Sequence, residues 1–229
     1  MRPAAGAVDG APGGLLSVEI AAFLCGYLVG AIPFAHLVGR WRKRDLRRLG
    51  TGNLGASNAY RQVGKLWGAL VLLLDLLKAL VPMLALHYFW DSEWGPVLWA
   101  VGAFLGHCWP IWLGFSTAGR GVAVLAGMYV AFGFFEGTGL YVLGAVCGYG
   151  SGLIARKPGF AVLIMVIGTI AFAPLAGAAP PVTAGSVAAL ALLLARRAFL
   201  LPSAIATGIG RPAAYWLALG EDTVPGQSL

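Results

Sequence analysis

A polytopic α-helical membrane fold is predicted for this chain by three observations: its apolar content, the length of its apolar runs, and the side on which its basic residues fall. Of the 229 residues, 59% are hydrophobic and only 11% charged. A soluble domain of this size has no means of burying so much apolar surface, whereas a bilayer accepts it. The period-two alternation of a transmembrane barrel is absent. The three cysteines, Cys25, Cys108 and Cys147, lie in or beside apolar runs. An odd number in such surroundings points away from a disulfide framework and from a thiolate metal site.

Taken in order, residues 1–14, rich in Ala, Gly and Pro, read as a flexible tail with no evident secretory cleavage site. Seven spans are then expected, at 15–38, 66–89, 95–113, 121–136, 138–155, 159–177 and 181–200. The fourth and fifth nearly abut, so the range is five to seven helices. The basic loops favour seven. Residues 15–205 read as a single transmembrane domain and 206–229 as a cytoplasmic C-terminal segment. No internal repeat is visible.

Charge sets the expected orientation. Arg40, Arg42, Lys43, Arg44, Arg47, Arg48, Arg61 and Lys65 follow the first span, and Arg120 follows the third. Arg156 and Lys157 follow the fifth, and Arg196 and Arg197 at the end of the seventh, with Arg211 after it, are counted on the same side. Fourteen of the sixteen basic residues thus fall on one side, which the positive-inside rule makes cytoplasmic, with the N-terminus outside and the C-terminus inside. The net charge of +7 then reflects topology and contact with anionic membrane lipids, and it does not indicate nucleic-acid binding.

The segment GTGNLGASNAYRQVGK (50–65) joins the first two spans. A plain connecting loop needs turn residues, but not Thr51, Gly52, Asn53, Gly55, Ser57 and Asn58 packed so closely. Glycines let backbone N–H groups approach an anion, and the hydroxyl and amide side chains add donors. Arg61 and Lys65 supply counter-charge, and an Arg fork grips a phosphate bidentately. The preceding RWRKRDLRR (40–48) reads mainly as a topology signal touching lipid headgroups.

Asp75 and Lys78 lie three residues apart inside the second span, hence on one helix face. Ionisable groups at that depth pair or face the protein interior. They read either as a structural ion pair or as residues that shape a site. His107 precedes Pro110, which bends or ends the third span. Gly119, Arg120 and Gly121 follow. They read either as a tight turn or as a second anion site, where backbone N–H groups and the positive helix end meet one cation. His36 and His87 have no partners at metal-ligand spacing. GYGSGLIARKPG (148–159) reads as a Gly/Pro loop with positive-inside charge. Trp90, Trp94, Trp99, Trp109 and Trp112 read as interfacial anchors.

Three of these segments, in this order, resemble the bacterial membrane glycerol-3-phosphate acyltransferases that use acyl phosphate, the PlsY family. Residues 30–80 are similar to that family's Gly-Ser-Ile-Pro-Phe opening, its Gly-Ser-Gly-Asn-x-Gly-Ala-Thr-Asn, an Arg, Gly-Lys and an intrahelical Asp-x-x-Lys. Thr51 and Ser57 stand for the family's Ser and Thr. Residues 106–123 resemble its Gly-His-x-x-Pro and Gly-Gly-Lys-Gly-Val-Ala, with Ala118 for the first Gly and Arg120 for Lys. In the third loop Tyr149 and Ser151 match, but Ile154 replaces a second Ser. The family's C-terminal His-x-x-Asn is not found in IGRPAAYWLALGED (209–222), although Gly220 and Glu221 are present.

The resemblance implies transfer of an acyl group from a long-chain acyl phosphate to the 1-hydroxyl of glycerol 3-phosphate, giving lysophosphatidic acid and phosphate. It implies a multi-pass protein of the bacterial inner membrane with its site on the cytoplasmic face, and neither cofactor nor metal. Thr51, Arg61, Arg120 and His107 are the expected catalytic residues. Gly52, Asn53, Gly55, Ser57, Asn58, Lys65, Gly119, Gly121 and Ser151 are the expected substrate-binding residues. The base is a substrate phosphate oxygen or His107. The competing readings are a catalytically weak paralogue that binds a phosphate or lipid headgroup, and a small-anion transporter. Against the transporter, the polar residues gather at one surface instead of near the bilayer midplane.

Overall fold

A computed structural model describes residues 12–90, 92–116, 118–137 and 177–206, with isolated positions between 141 and 171. Among these residues the ordered structure is helical, with no strand. Most of the expected spans 138–155 and 159–177 lies outside the described residues, as do the third loop with Ser151 and the segment after 206. The chain divides into two compact units, Met1–Gly137 and Thr138–Leu229.

In the first unit, α1 (Pro12–Gly30) is followed by a break and then α2 (Phe34–Trp41). The expected first span, 15–38, is therefore interrupted, and it runs on to Trp41. Pro33 explains the break: it has no N–H to continue the helix, and it biases Ile32 away from the helical region. Val18–Trp41 is nonetheless long and apolar enough to cross a membrane, as are Lys65–Phe89 and Gly95–Leu113. A seven-residue helix, α3 (Ala56–Gln62), connects to α4 (Lys65–Phe89). At 25 residues α4 is about 37 Å long, enough for the ~30 Å hydrocarbon core. Next, α5 (Gly95–Cys108) begins with Pro in its first turn, where a missing N–H costs nothing, and stops two residues before Pro110. A 3-10 turn (Ile111–Leu113) leads to α6 (Val122–Phe135). With 14 residues α6 is about 21 Å long, too short to cross the core by itself.

Small residues set the packing. Gly26 and Gly30 of α1 sit against the backbone of Trp99 and Ala103, while Gly102 and Gly106 of α5 sit against Phe23, Tyr27 and Ala31. A side chain at any of the four would meet backbone atoms, so the glycines permit the close approach. The order of these contacts makes α1 and α5 parallel. Gly127 against Leu76, and the His87 ring stacked on Phe135 with centroids 4.0 Å apart, make α4 and α6 parallel as well. The loop leaving α2 and the turn entering α6 therefore lie at the same end of this unit. Outward-facing Ile20, Leu24, Leu28, Leu66, Leu73 and Val81 are exposed, as lipid-facing side chains of a membrane protein are.

The second unit contains α7 (Pro180–Ala206), of which Pro180–Ala198 is long and apolar enough to cross a membrane. Val182, Ser186, Ala189, Leu193, Arg196 and Arg197 form its buried stripe, at helical spacing. Arg196 and Arg197 thus lie inside the helix, as the expected bounds 181–200 have them, and not with the cytoplasmic loop charges among which they were counted. Their guanidinium groups are internal to the protein and say little about which side of the membrane follows.

Candidate functional site

The loop from Arg42 to Gly55 folds around one side chain. Asn58, in the first turn of α3, is completely buried. Its Nδ2 donates to the carbonyls of Leu46 (3.1 Å), Leu49 (3.1 Å) and Asn53 (3.0 Å), and its Oδ1 accepts the Thr51 N–H (3.3 Å). The amide carries only two protons, so three carbonyls share them. Within this frame Gly50 and Gly52 adopt left-handed φ of 57° and 69°, and the Thr51 hydroxyl accepts the Asn53 N–H at 3.4 Å. Leu46 and Leu54 anchor the loop in a buried cluster with Ala35, Val38, Ala59, Val71 and Ala118.

Asn58 was expected to contact substrate. Its whole amide is instead committed to holding the loop's shape, a role that composition alone does not reveal. Replacing it by Asp keeps the size but turns an oxygen toward three carbonyl oxygens. Asn58→Asp is therefore expected to cost at least the ~1–3 kcal/mol of an unsatisfied buried polar group, read as a lowered unfolding midpoint in detergent. A midpoint unchanged from the wild type would show that the loop does not depend on this amide.

The basic stretch is partly tied up within itself. Arg47 grips Asp45 with both Nε (3.0 Å) and Nη2 (3.1 Å), and Arg48 Nε lies 3.7 Å away. The Arg47 guanidinium holds the Asp45 carboxyl below the usual carboxylate range. Its contribution to loop order is complete above the ordinary Asp pKa and is lost as pH falls through the lowered value. Arg42 stacks over Trp67 at 5.2 Å, and Trp41 meets the same ring edge-on at 4.8 Å. Such an aromatic and cationic pairing suits the membrane–water interface. Arg61 and Lys65 are exposed, and Gly55 and Ser57 lie at the start of α3 beside Asn58.

The second glycine segment docks on the end of α5. The Ala118 N–H donates to the Cys108 carbonyl (3.1 Å) and the Gly119 N–H to the His107 carbonyl (3.2 Å). Gly121 takes φ of 78°, a left-handed value that a side chain disfavours, and caps α6 with no side-chain bond to the free N–H groups of the first turn. Arg120 is half-buried. Because Ala118 belongs to the same buried cluster as Leu54 and Ala59, the fold brings the two glycine segments together.

Behind the turn lies a buried ionic cluster. Lys78 Nζ is 2.8 Å from Asp75 Oδ1, 2.8 Å from the Gly30 carbonyl oxygen and 2.9 Å from His107 Nδ1. His107 Nδ1 is also 3.4 Å from Asp75 Oδ1. The Asp75 and Lys78 side chains are each only 2% exposed. Sequence reasoning placed Asp75 and Lys78 on one face but did not join His107 to them, because that contact spans 29 residues and two helices. Among the described residues no group of three or more His, Cys, Asp and Glu side chains is placed to hold a metal ion.

The family described as glycerol-3-phosphate acyltransferase matches residues 20–214. Among curated relatives, the glycerol-3-phosphate acyltransferase of Rubrobacter xylanophilus is 38% identical over 126 residues, covering 55% of this chain and 63% of the relative. That of Erythrobacter litoralis is 48% identical over 128 residues, covering 55% and 61%. The chain therefore spans less than two thirds of the length of these relatives. Among solved structures, PlsY (YgiH), an integral membrane glycerol 3-phosphate acyltransferase in its glycerol 3-phosphate form, superposes with a TM-score of 0.69 at 28% identity, covering 83% of this chain and 92% of that one. Its lysophosphatidic acid form gives 0.68 at 26% identity.

Proposed function

The chain belongs to the glycerol-3-phosphate acyltransferase family, and from that membership we propose that it transfers a fatty acyl group from a long-chain acyl phosphate to the 1-hydroxyl of glycerol 3-phosphate. The hydroxyl oxygen attacks the acyl carbonyl carbon and forms the ester bond. The bond from that carbon to the phosphate oxygen breaks, and lysophosphatidic acid and phosphate leave. The hydroxyl proton ends on a phosphate oxygen. The donor is already activated, so neither an acyl-enzyme nor a cofactor is needed.

The observation that carries this reading is the packing of two glycine-rich, cation-bearing segments into one buried cluster at one end of a membrane helical unit. Two phosphate groups repel each other, and bringing them to reacting distance requires clustered cations and preorganised donors. In this proposal Arg61, Lys65 and Arg120 supply the charge. Thr51, Asn53 and Ser57 supply side-chain donors, and Gly52, Gly55, Gly119 and Gly121 supply backbone approach. Asn58 acts indirectly, by shaping the loop. A substrate phosphate oxygen is favoured over His107 as the base, because Lys78 occupies His107 Nδ1. The acyl chain would lie between apolar helices.

We place the site on the cytoplasmic face of the bacterial inner membrane, in a single domain of seven helices with the N-terminus outside. The basic residues at 40–65 and Arg120 support that orientation.

A second reading, a weakly active paralogue that binds a phosphate or lipid headgroup, is favoured by one observation: residues 209–222 contain neither the family's His nor its Asn. One assay separates the two. Purified protein in lipid receives labelled glycerol 3-phosphate with palmitoyl phosphate or, in parallel, palmitoyl-CoA. Lysophosphatidic acid formed from palmitoyl phosphate alone is the expected result. Folded protein that binds glycerol 3-phosphate and forms no product with either donor would establish the second reading.

A further inference from the structure

Lys78 Nζ donates to the Gly30 carbonyl oxygen (2.8 Å), pairs with Asp75 Oδ1 (2.8 Å) and lies 2.9 Å from His107 Nδ1. An ammonium has three protons and no lone pair, so a charged Lys78 can hydrogen-bond His107 only if Nδ1 accepts. The Phe34 ring lies beside the same nitrogen, its centroid 5.7 Å away. Two proton arrangements fit the Lys78–His107 contact. Either an ammonium donates to an unprotonated Nδ1, or a protonated Nδ1 donates to a neutral amine. An alkyl amine is a much stronger base than an imidazole, and here Asp75 Oδ1 lies nearer Lys78 Nζ (2.8 Å) than His107 Nδ1 (3.4 Å). Both facts put the proton on lysine. With Nδ1 accepting, the ring's own proton sits on Nε2. That edge of the imidazole lies directly against Gly119, where any side chain would collide with the ring.

We infer that Lys78 fixes His107 as the neutral, Nε2-protonated tautomer, so that this histidine presents a hydrogen-bond donor, not a base, to the Gly119–Arg120 turn. Lys78 is then a positioning residue for the site. It acts through His107, and Asp75 holds its charge in place. The inference deepens the acyltransferase reading above and rests on it for its functional meaning. The tautomer itself does not depend on that reading. It also assigns a reason to the glycine at 119 besides approach to an anion: the imidazole occupies the space of its side chain.

Nitrogen NMR tests this directly. His36→Gln/His87→Gln protein, labelled with 15N-histidine and held in lipid bilayers, contains His107 as its one labelled ring. The expected spectrum has one unprotonated resonance, Nδ1, and one protonated resonance, Nε2. A protonated Nδ1, or two protonated nitrogens, would overturn the inference. This spectrum needs no change in the cluster, so it stands even where cluster variants fail to fold. In Lys78→Met protein that does fold, Nδ1 is expected to take up a proton toward Asp75. An unchanged Nε2 tautomer there would remove Lys78 from the positioning role. Absence of acyl transfer together with the expected spectrum would overturn the acyltransferase reading and leave the tautomer assignment in place.

Discussion

Lys78→Met is expected to destabilise the protein by about 3–5 kcal/mol, the usual cost of stripping one partner from a buried ion pair. The cost arises because the Asp75 side chain is 2% exposed and keeps its charge with no cation beside it. The Gly30 carbonyl and His107 Nδ1 also lose their donor. The variant Asp75→Asn/Lys78→Met removes both charges and is expected to recover most of the loss, since an absent pair costs far less than a broken one. Unfolding titrations with SDS in mixed micelles would measure both. A single variant within about 0.5 kcal/mol of the wild type, the range of ordinary surface changes, would show that the cluster carries no structural weight.

Arg61→Ala is expected to have the opposite profile. Arg61 is exposed, so stability should stay within about 0.5 kcal/mol. Turnover, on the proposed function, should fall by at least about 100-fold in kcat/KM, the scale on which one preorganised charge-stabilising donor acts. Arg61→Lys keeps the charge but loses the planar fork and should fall between the two. Activity of Arg61→Ala close to the wild-type value would remove this residue from the site.

Comparing these two residues shows what was legible in the sequence. Membrane character and helical class follow from composition and run length, and the turn-rich build of 50–65 from its glycine spacing, which are local properties. The pairing of Asp75 with Lys78 was legible for the same reason, since three residues make one helix turn. Contacts across helices were not legible. Nothing in the spacing of 78 and 107 says that their side chains meet, and Asn58 looks like Asn53 until the loop is folded around it. Arg196 and Arg197 illustrate the converse error. Grouped with the loop charges, they are buried in α7, which runs on to Ala206 through the apolar residues that follow them. Pro33 was visible, but the apolar pattern continued on both sides of it, so the break between α1 and α2 was hidden by periodicity.

On the proposed function, the first loop and the Gly119–Gly121 turn form one phosphate-holding site. A double-mutant cycle with Arg61→Lys and Arg120→Lys, conservative enough to keep measurable turnover, tests it through kcat/KM for glycerol 3-phosphate. Two cations acting on the same pair of phosphates should show a coupling of about 0.5–3 kcal/mol. Effects that add to within about 0.3 kcal/mol would mean that the two arginines serve independent places, and would contradict the single site.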